Sequence, residues 1–250
     1  MDVHYPRPVS GVDAAEALAR AAGLGPYFGW EPAGDLSGWR PWPELADGTV
    51  LAERVAAART ALATMGGLPE DAIPGRVVAS VAFLGYAARV LSPLLGAAAL
   101  TGTVPAATKT TLWWRPVPAG PLPIAYASIS GTRPASPEAL REVAVEAILE
   151  PVLLACRARF RLSPQVLWGN VTSALAGAAT MITTADPVAG ERAGALVEGL
   201  LALPPLAGTG TLRRPSPTGP RRVLTRNNCC LYYRIPGGGT CGDCVLRRNR

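Results

Sequence analysis

The pattern of apolar and polar positions predicts a chain dominated by helices. Leu51, Val55, Ala58, Leu62 and Met65 recur at spacings of four and three residues, and two glycines follow them. This period places the apolar residues on one face of a helix, and glycines are typical of a helix end. We therefore expect an amphipathic helix whose apolar face packs on the core.

A buried helix or a broken pair of helices is predicted over about residues 74–100, which include the most apolar stretch, residues 77–100. Pro93 lies within it and is expected to interrupt a single helix. Arg89 lies near its middle, and an arginine at the centre of a bilayer costs about 2.5 kcal/mol or more. We therefore expect this stretch to lie in a protein core and predict no membrane span.

Three later helices are predicted from their N-terminal caps. Ser136, Ser163 and Asp186 each precede a proline and then an apolar pattern. A short polar side chain at the cap accepts backbone amide hydrogens, and proline is favoured at the first helical position. The first of these helices contains Pro151, which is expected to kink it.

A change of composition at residues 108–130 predicts the main β-structure. Thr, Trp, Ile and Tyr flank a Pro/Gly turn, which favours a β-hairpin over residues 110–129. The predicted fold class is α+β: a predominantly helical body with a small antiparallel β-sheet and a C-terminal extension. The body covers residues 1–203, a linker rich in Pro, Gly and Arg covers 204–222, and a cysteine-rich segment packed on the body covers 223–250.

The positive charge of the chain is concentrated at its C-terminal end. The formal net charge is +6, and residues 221–250 contain seven arginines and one acidic residue, Asp243. Basic and acidic residues balance in the rest of the chain. The N-terminus lacks the basic start and apolar run of a secretion signal, so we expect a cytoplasmic protein whose thiols stay reduced.

Four of the five cysteines lie in the C-terminal segment. Cys229 and Cys230 are adjacent, ten residues follow, and Cys241 and Cys244 are separated by two residues. Between the pairs, "LYYRI" predicts a short strand, and the glycines after it predict a tight turn that brings the pairs together. In a reducing compartment this group indicates a metal site, whereas the remaining Cys156 is expected to be a buried core residue.

Zinc and an iron-sulfur cluster are the two candidate occupants of this site, because both are bound by four thiolates. Zinc sites usually present ligand pairs separated by about two to four residues. Cys229 and Cys230 are adjacent, and their side chains are expected to diverge, which mildly favours a wider two-iron core. The residue pattern alone leaves both occupants open.

The sequence "RNNCCLYYRIPGGGTCGDCVL" resembles the C-terminal signature of the FhuF-like ferric-siderophore reductases, and a less specific similarity extends upstream to about residue 70. The resemblance implies a [2Fe-2S] cluster on Cys229, Cys230, Cys241 and Cys244. It further implies an oxidoreductase that passes one electron to Fe(III) in a siderophore complex and releases Fe(II) for cellular iron assimilation. This function requires no acid or base beyond the cluster.

Nearby positive charge favours the reduced form of such a cluster, because reduction makes it more negative. The residues expected to form the environment of the cluster are Arg226, Tyr232, Tyr233, Arg234 and Arg247.

Two further groups are candidates for substrate contacts. Trp113, Trp114 and Arg115 lie on a predicted strand, where only one of the two tryptophans can face a ligand, and core packing is the alternative. Trp168 and Asn170 lie in "LWGN", which is similar to a segment of the family, and packing and capping are the alternative.

No sequence motif indicates an internal source of electrons. The sole histidine is His4, at the terminus, so acid/base chemistry by histidine is not expected. No glycine motif for a nicotinamide phosphate precedes a helix, so no built-in nicotinamide site is expected. An external donor is therefore expected, either a ferredoxin or a flavin/NAD(P)H reductase, with no nucleic-acid partner. Two alternatives stay open: a zinc protein that binds nucleic acid or a protein through its arginines, and an iron-sulfur redox sensor without turnover.

Overall fold

The computed structural model of the protein describes residues 12–215 and 222–246. Helices dominate these residues, and a π-helical segment, Arg141–Leu149, joins two of them. The helices are α1 (Ala14–Ala22), α2 (Gly48–Gly66), α3 (Gly75–Thr101), α4 (Pro137–Leu140), α5 (Glu150–Phe160), α6 (Pro164–Ala185) and α7 (Pro187–Ala202). This architecture confirms the predicted fold class, a predominantly helical α+β protein.

Helix α3 is the central element of the core. It packs against α1, α2, α6 and α7. Among the described residues it is also the one helix with the length and hydropathy of a membrane span, but 72% of its most apolar window is buried inside the protein. That burial is expected of a core helix, because a spanning helix would present its apolar side chains to lipid.

Helix α3 runs without a break through Pro93, so the predicted interruption at this residue is wrong. Proline has no backbone N–H, and at this position it leaves the carbonyl of Arg89 without its helical donor. The indole Nε1 of Trp30 donates to that carbonyl at 2.8 Å. A side chain distant in sequence therefore replaces the missing backbone hydrogen bond.

The guanidinium of Arg89 anchors the loop before the first strand to α3. Its nitrogens donate to the carbonyl oxygens of Leu122, Pro26, Tyr27 and Gly29 over 2.6–2.9 Å. The side chain is 4% exposed. Its charge is therefore satisfied by carbonyl dipoles within the protein.

The predicted helix starts are confirmed. Ser136, Ser163 and Asp186 each accept a backbone N–H of the first turn with their side-chain oxygens. Before Pro151 the chain adopts the π-helical segment, in which the N–H of Glu150 donates to the carbonyl of Val145, five residues earlier.

The predicted amphipathic helix is α2, and most of its apolar face packs as expected. Leu51 and Val55 are buried, whereas Ala58 and Leu62 are partly buried against the core. Met65 is 82% exposed, so its expected place on the core is wrong. It lies in the last turn, just before the left-handed cap at Gly67, where the chain leaves the core.

The β-structure is small and consists of short strands. The predicted hairpin is confirmed by β4 (Leu112–Trp114) and β5 (Ile124–Tyr126), which pair antiparallel with Trp113 opposite Ala125. The same sheet gains β1 (Glu31–Pro32), parallel to β5, and β2 (Arg40–Pro41), antiparallel to β4. A second pair joins β3 (Thr103–Pro105) to β6 (Thr132–Pro134).

The cysteine-rich segment begins with a hairpin. Strand β7 (Gly210–Arg213), within the stretch interpreted as a linker, pairs antiparallel with β8 (Val223–Arg226). The predicted strand "LYYRI" is wrong, because Tyr232–Arg234 form a 3₁₀ turn. The backbone N–H of Arg234 donates to the carbonyl of Leu231. The turn therefore gives this N–H a hydrogen-bond partner, which an unpaired strand would lack.

We expect Arg89→Met to destabilise the fold by about 3 kcal/mol or more, because it leaves several buried carbonyls without a donor. Urea unfolding followed by circular dichroism measures the change. Arg76→Met removes an exposed arginine from the same helix and is expected to change the unfolding free energy by less than about 0.5 kcal/mol. Equal effects of the two substitutions would contradict the anchoring role of Arg89.

Candidate metal centre

The four C-terminal cysteines are all free thiols, and the fold divides them by exposure. Cys229 and Cys230 follow β8 directly, and the chain then passes through the 3₁₀ turn and a glycine-rich turn to Cys241 and Cys244. Cys230 and Cys244 are buried, whereas Cys229 and Cys241 are partly exposed. The site therefore has an inner side and an edge that solvent reaches.

The turn between the pairs depends on left-handed backbone at two glycines. Gly237 and Gly239 have φ angles of 73° and 68°. A side chain at either position would strain this conformation. The turn returns the chain so that the Sγ atoms of Cys230 and Cys241 lie 3.4 Å apart.

These sulfur atoms are close enough to interact but are not bonded to each other, since a disulfide is about 2.05 Å long. Their distance is near the ~3.7 Å between two sulfur ligands of one tetrahedral ion with bonds of about 2.3 Å. A shared hydrogen bond lowers the pKa of Cys230 to about 6 and raises the pKa of Cys241. Burial raises the pKa of Cys229, on which the charges of Cys230 and Cys244 also act.

The donor set suits a cluster of iron and sulfide. It consists of sulfur from four cysteines, and backbone amides already point at two of them: the N–H of Leu231 donates to Cys229 Sγ at 3.3 Å, and the N–H of Tyr232 to Cys230. Across the described ranges, no three His, Cys, Asp or Glu side chains are arranged to hold one metal ion. The structure shows one sulfur pair in contact, Cys230 and Cys241, and cysteine sulfur is the donor type that iron-sulfur ligation uses.

The buried side of the site is organised by Arg226, the last residue of β8. Its side chain is 1% exposed. The guanidinium donates to Asn170 Oδ1 at 2.9 Å, to Ser173 Oγ at 3.0 Å and to the carbonyl of Val166 at 3.3 Å, all on α6. It also donates to the side chain and the carbonyl of Asn228. Arg226 therefore joins the start of the cysteine segment to α6.

A chain of hydrogen bonds extends from Arg226 to the first cysteine pair. Asn170 accepts from Arg226 and donates through Nδ2 to Ser80 on α3, at 2.8 Å to the carbonyl and 3.0 Å to Oγ. Ser80 Oγ in turn donates to the carbonyl of Cys230 at 2.8 Å. Two core helices thus hold the backbone of Cys230.

A second connection holds the other cysteine pair. Ser173 Oγ, which accepts from Arg226, donates to the carboxylate of Asp243 in a short hydrogen bond. The backbone N–H of Arg226 donates to the carbonyl of Asp243 at 3.2 Å. Since Asp243 lies between Cys241 and Cys244, the same arginine positions both halves of the motif.

Gly169 on α6 allows this close approach. A Cβ atom there would lie 1.9 Å from Asn228 Oδ1 and 2.7 Å from Arg226 Nη2. Both distances are far below van der Waals contact, so any other residue would displace the arginine. Gly169 therefore has a packing role in the site.

The structure brings some of the predicted residues to the cysteines and places others elsewhere. Asn170 and Arg226 lie in the network described above. Tyr232 packs against the core, whereas Tyr233 is 43% exposed and lies beneath Arg234, whose Cζ is 5.7 Å from the ring centroid. Arg247 and His4 lie outside the described residues.

The three predicted substrate residues on β4 and just after it make their contacts within the sheet region. Trp114 is fully buried, and its Nε1 donates to the carbonyl of Pro41. Arg115 is exposed and lies over the ring of Trp39, 4.9 Å from its centroid, while Trp113 is partly exposed. Trp168 on α6 is partly buried against the core.

Sequence reasoning missed five residues of the site: Ser80, Gly169, Ser173, Asn228 and Asp243. Asn228 and Asp243 lie in the quoted cysteine signature and Gly169 lies in "LWGN", but none of the five was assigned a role. The expected core position of Cys156 is confirmed, since the residue is fully buried and burial raises its pKa to about 12.

Comparison with known families identifies the segment. Residues 226–246 match the family described as the FhuF 2Fe-2S C-terminal domain, which confirms the predicted resemblance. The match begins at Arg226 and includes all four cysteines, and the cofactor is accordingly a [2Fe-2S] cluster. It does not favour a structural zinc site. No curated protein matches the chain.

We expect Gly169→Ala to weaken the attachment of the cysteine segment, because the added methyl group collides with Asn228 and Arg226. The free energy of unfolding is expected to fall by about 1–3 kcal/mol, and hydrogen exchange in residues 226–246 should become faster. Gly177→Ala is the matched control on the same helix, since a Cβ there meets nothing within 4 Å. If both variants exchange like the wild type, the close approach at Gly169 does not hold the segment.

Proposed function

We propose that the protein is a one-electron reductase of ferric-siderophore complexes and that Cys229, Cys230, Cys241 and Cys244 hold its [2Fe-2S] cluster. One observation carries the proposal: the segment that matches a 2Fe-2S domain contains four free thiols, two of them with sulfur atoms 3.4 Å apart. Bound there, the cluster supplies single-electron transfer.

The division of the site into two sides supports this role. Cys230 and Cys244 are buried, and Ser80 on α3 donates to the carbonyl of Cys230, so the protein keeps water away from that side. Cys229 and Cys241 are partly exposed. An electron partner can therefore approach the Cys229 and Cys241 edge without any rearrangement of the fold.

The substrate is an Fe(III) chelate with hard oxygen ligands. One electron converts its Fe(III) to Fe(II), which such ligands hold more weakly because the ferrous ion is larger and less charged. Reduction therefore releases iron without breaking a covalent bond in the chelator. Each turnover consumes one electron from a donor outside this chain, a ferredoxin or a flavin/NAD(P)H reductase.

The charge of the C-terminal segment supports an acidic partner. Seven arginines lie in residues 221–250, and Arg234 is exposed close enough to Cys229 for their charges to interact. Electrostatic complementarity of this kind speeds the encounter with an acidic donor or an anionic chelate. We further propose a cytoplasmic location, where such donors are available.

Substrate contacts are proposed only for residues that keep exposed surface. Trp113, Arg115 and Trp168 do so, and an aromatic ring or guanidinium can pack against an organic chelate. Trp114 and Asn170 are fully buried, and their side-chain nitrogens donate to protein groups. These two residues support the fold and the cysteine segment.

Replacing any one of the four proposed ligands with serine is expected to remove most of the cluster, because a hydroxyl is a much poorer iron ligand than a thiolate. Iron and acid-labile sulfide measured after anaerobic purification should fall from about two of each per chain to a small fraction. Cys156→Ala is the control and should retain both. A variant with full iron and sulfide would remove its residue from the ligand set.

The reaction itself is tested by mixing. Anaerobically reduced protein, freed of excess reductant, is combined with a panel of ferric hydroxamate, catecholate and carboxylate chelates, and ferrous ion is trapped with a chromogenic chelator. We expect about one Fe(II) per reduced cluster, with matching return of the oxidised visible spectrum. A cluster that is reduced normally but yields no Fe(II) with any chelate indicates a redox sensor.

A further inference from the structure

Arg226 differs from Arg222, another buried arginine, in the charge of the groups that it contacts. Arg222 forms ion pairs with Glu198 and Glu191. The five oxygen atoms that accept from Arg226 belong to two carbonyls, two amide side chains and a hydroxyl, all of them neutral. Its hydrogen bonds are satisfied, but these partners do not neutralise its charge.

Neutral partners alone do not show that an arginine is the counter-charge of a site, since Arg89 is also held by carbonyls. The position of Arg226 beside the cysteine segment is what distinguishes it. Its guanidinium donates to the carbonyl and the side chain of Asn228, the residue directly before Cys229. Its backbone and side chain are bound to Asp243, directly and through Ser173. The guanidinium therefore lies behind the cysteine site, on the side that water does not reach.

We propose that Arg226 is the internal counter-cation of the cysteine site: it holds both cysteine pairs in place and stabilises the more negative, reduced cluster. This inference rests on the proposed function. It assigns the arginine a positioning role, since its nitrogens bind other protein groups and do not touch the substrate.

The direction of the hydrogen bonds supports the first part of the proposal. Every donor between Arg226 and Cys230 points the same way, from the guanidinium to Asn170, from Asn170 to Ser80, and from Ser80 to the carbonyl of Cys230. A positive charge at the start of such a chain strengthens each bond along it. The backbone of the first cysteine pair is therefore held by a network that begins at this buried cation.

The charge of the cluster supports the second part of the proposal, the stabilisation of the reduced state. Four thiolates, two sulfides and two Fe(III) sum to about −2, and one added electron makes this about −3. A buried cation is screened far less than an exposed one and favours the state with the larger negative charge. The exposed arginines of the segment contribute less, because water and salt surround them.

The test compares two changes to this charge. Arg226→Gln deletes the cation, whereas Asn170→Asp retains it and places a carboxylate beside Nη1 with almost no change in size, at the loss of the Nδ2 donation to Ser80. Arg213→Gln is the control, since Arg213 is exposed on β7 of the same hairpin. The midpoint potential of each protein is measured by a redox titration followed by EPR.

We expect both test variants to have a reduction equilibrium constant about tenfold lower than the wild type, equivalent to about 59 mV for one electron. Arg213→Gln should match the wild type. If Arg226→Gln loses the cluster while its helical body unfolds at the wild-type temperature, the holding role is supported, and Asn170→Asp then reports the charge. Hydrogen exchange of the apo-protein in residues 226–246 gives an independent measure of holding.

Either test variant with a full cluster and the wild-type potential would overturn the counter-charge. A failure of the proposed function looks different. In that case the wild-type protein itself lacks the cluster, or holds it at a measurable potential without reducing any ferric chelate.

Discussion

The structure of the cysteine segment depends on one buried guanidinium. Arg226 lies at the end of β8, where the chain enters the first cysteine pair, and it binds three residues of α6. A segment of about twenty residues with a small apolar surface could not fix its own conformation by burial alone. Its attachment comes instead from hydrogen bonds to two helices that belong to the main core.

This arrangement explains why the site can be rigid on one side and accessible on the other. The carbonyl of the inner Cys230 belongs to a network that continues into α3 through Ser80, and α3 is the most extensively packed helix among the described residues. Between the outer Cys229 and Cys241 the chain turns through left-handed backbone at Leu231, Gly237 and Gly239. A redox centre needs both properties, since its ligands must not move while its partners come and go.

The sequence predicted the features that depend on near neighbours. The caps at Ser136, Ser163 and Asp186 are local hydrogen bonds, and the hairpin of β4 and β5 follows from residues on either side of one turn. The features it missed depend on distant residues. Trp30 compensates Pro93 from another part of the chain, and Ser80 reaches Cys230 across 150 positions. The β-propensity of "LYYRI" gave a wrong strand because, in the part of the chain that the structure describes, no strand pairs with it.

The central claim is that the four C-terminal cysteines hold a two-iron cluster that carries single electrons. The most direct measurement is the low-temperature EPR spectrum of anaerobically purified protein before and after reduction. The account predicts no signal from the oxidised protein and, after reduction, a spin-½ signal that integrates to about one spin per chain, as for one electron on a [2Fe-2S] centre. A colourless protein with one zinc ion per chain and no such signal would contradict it.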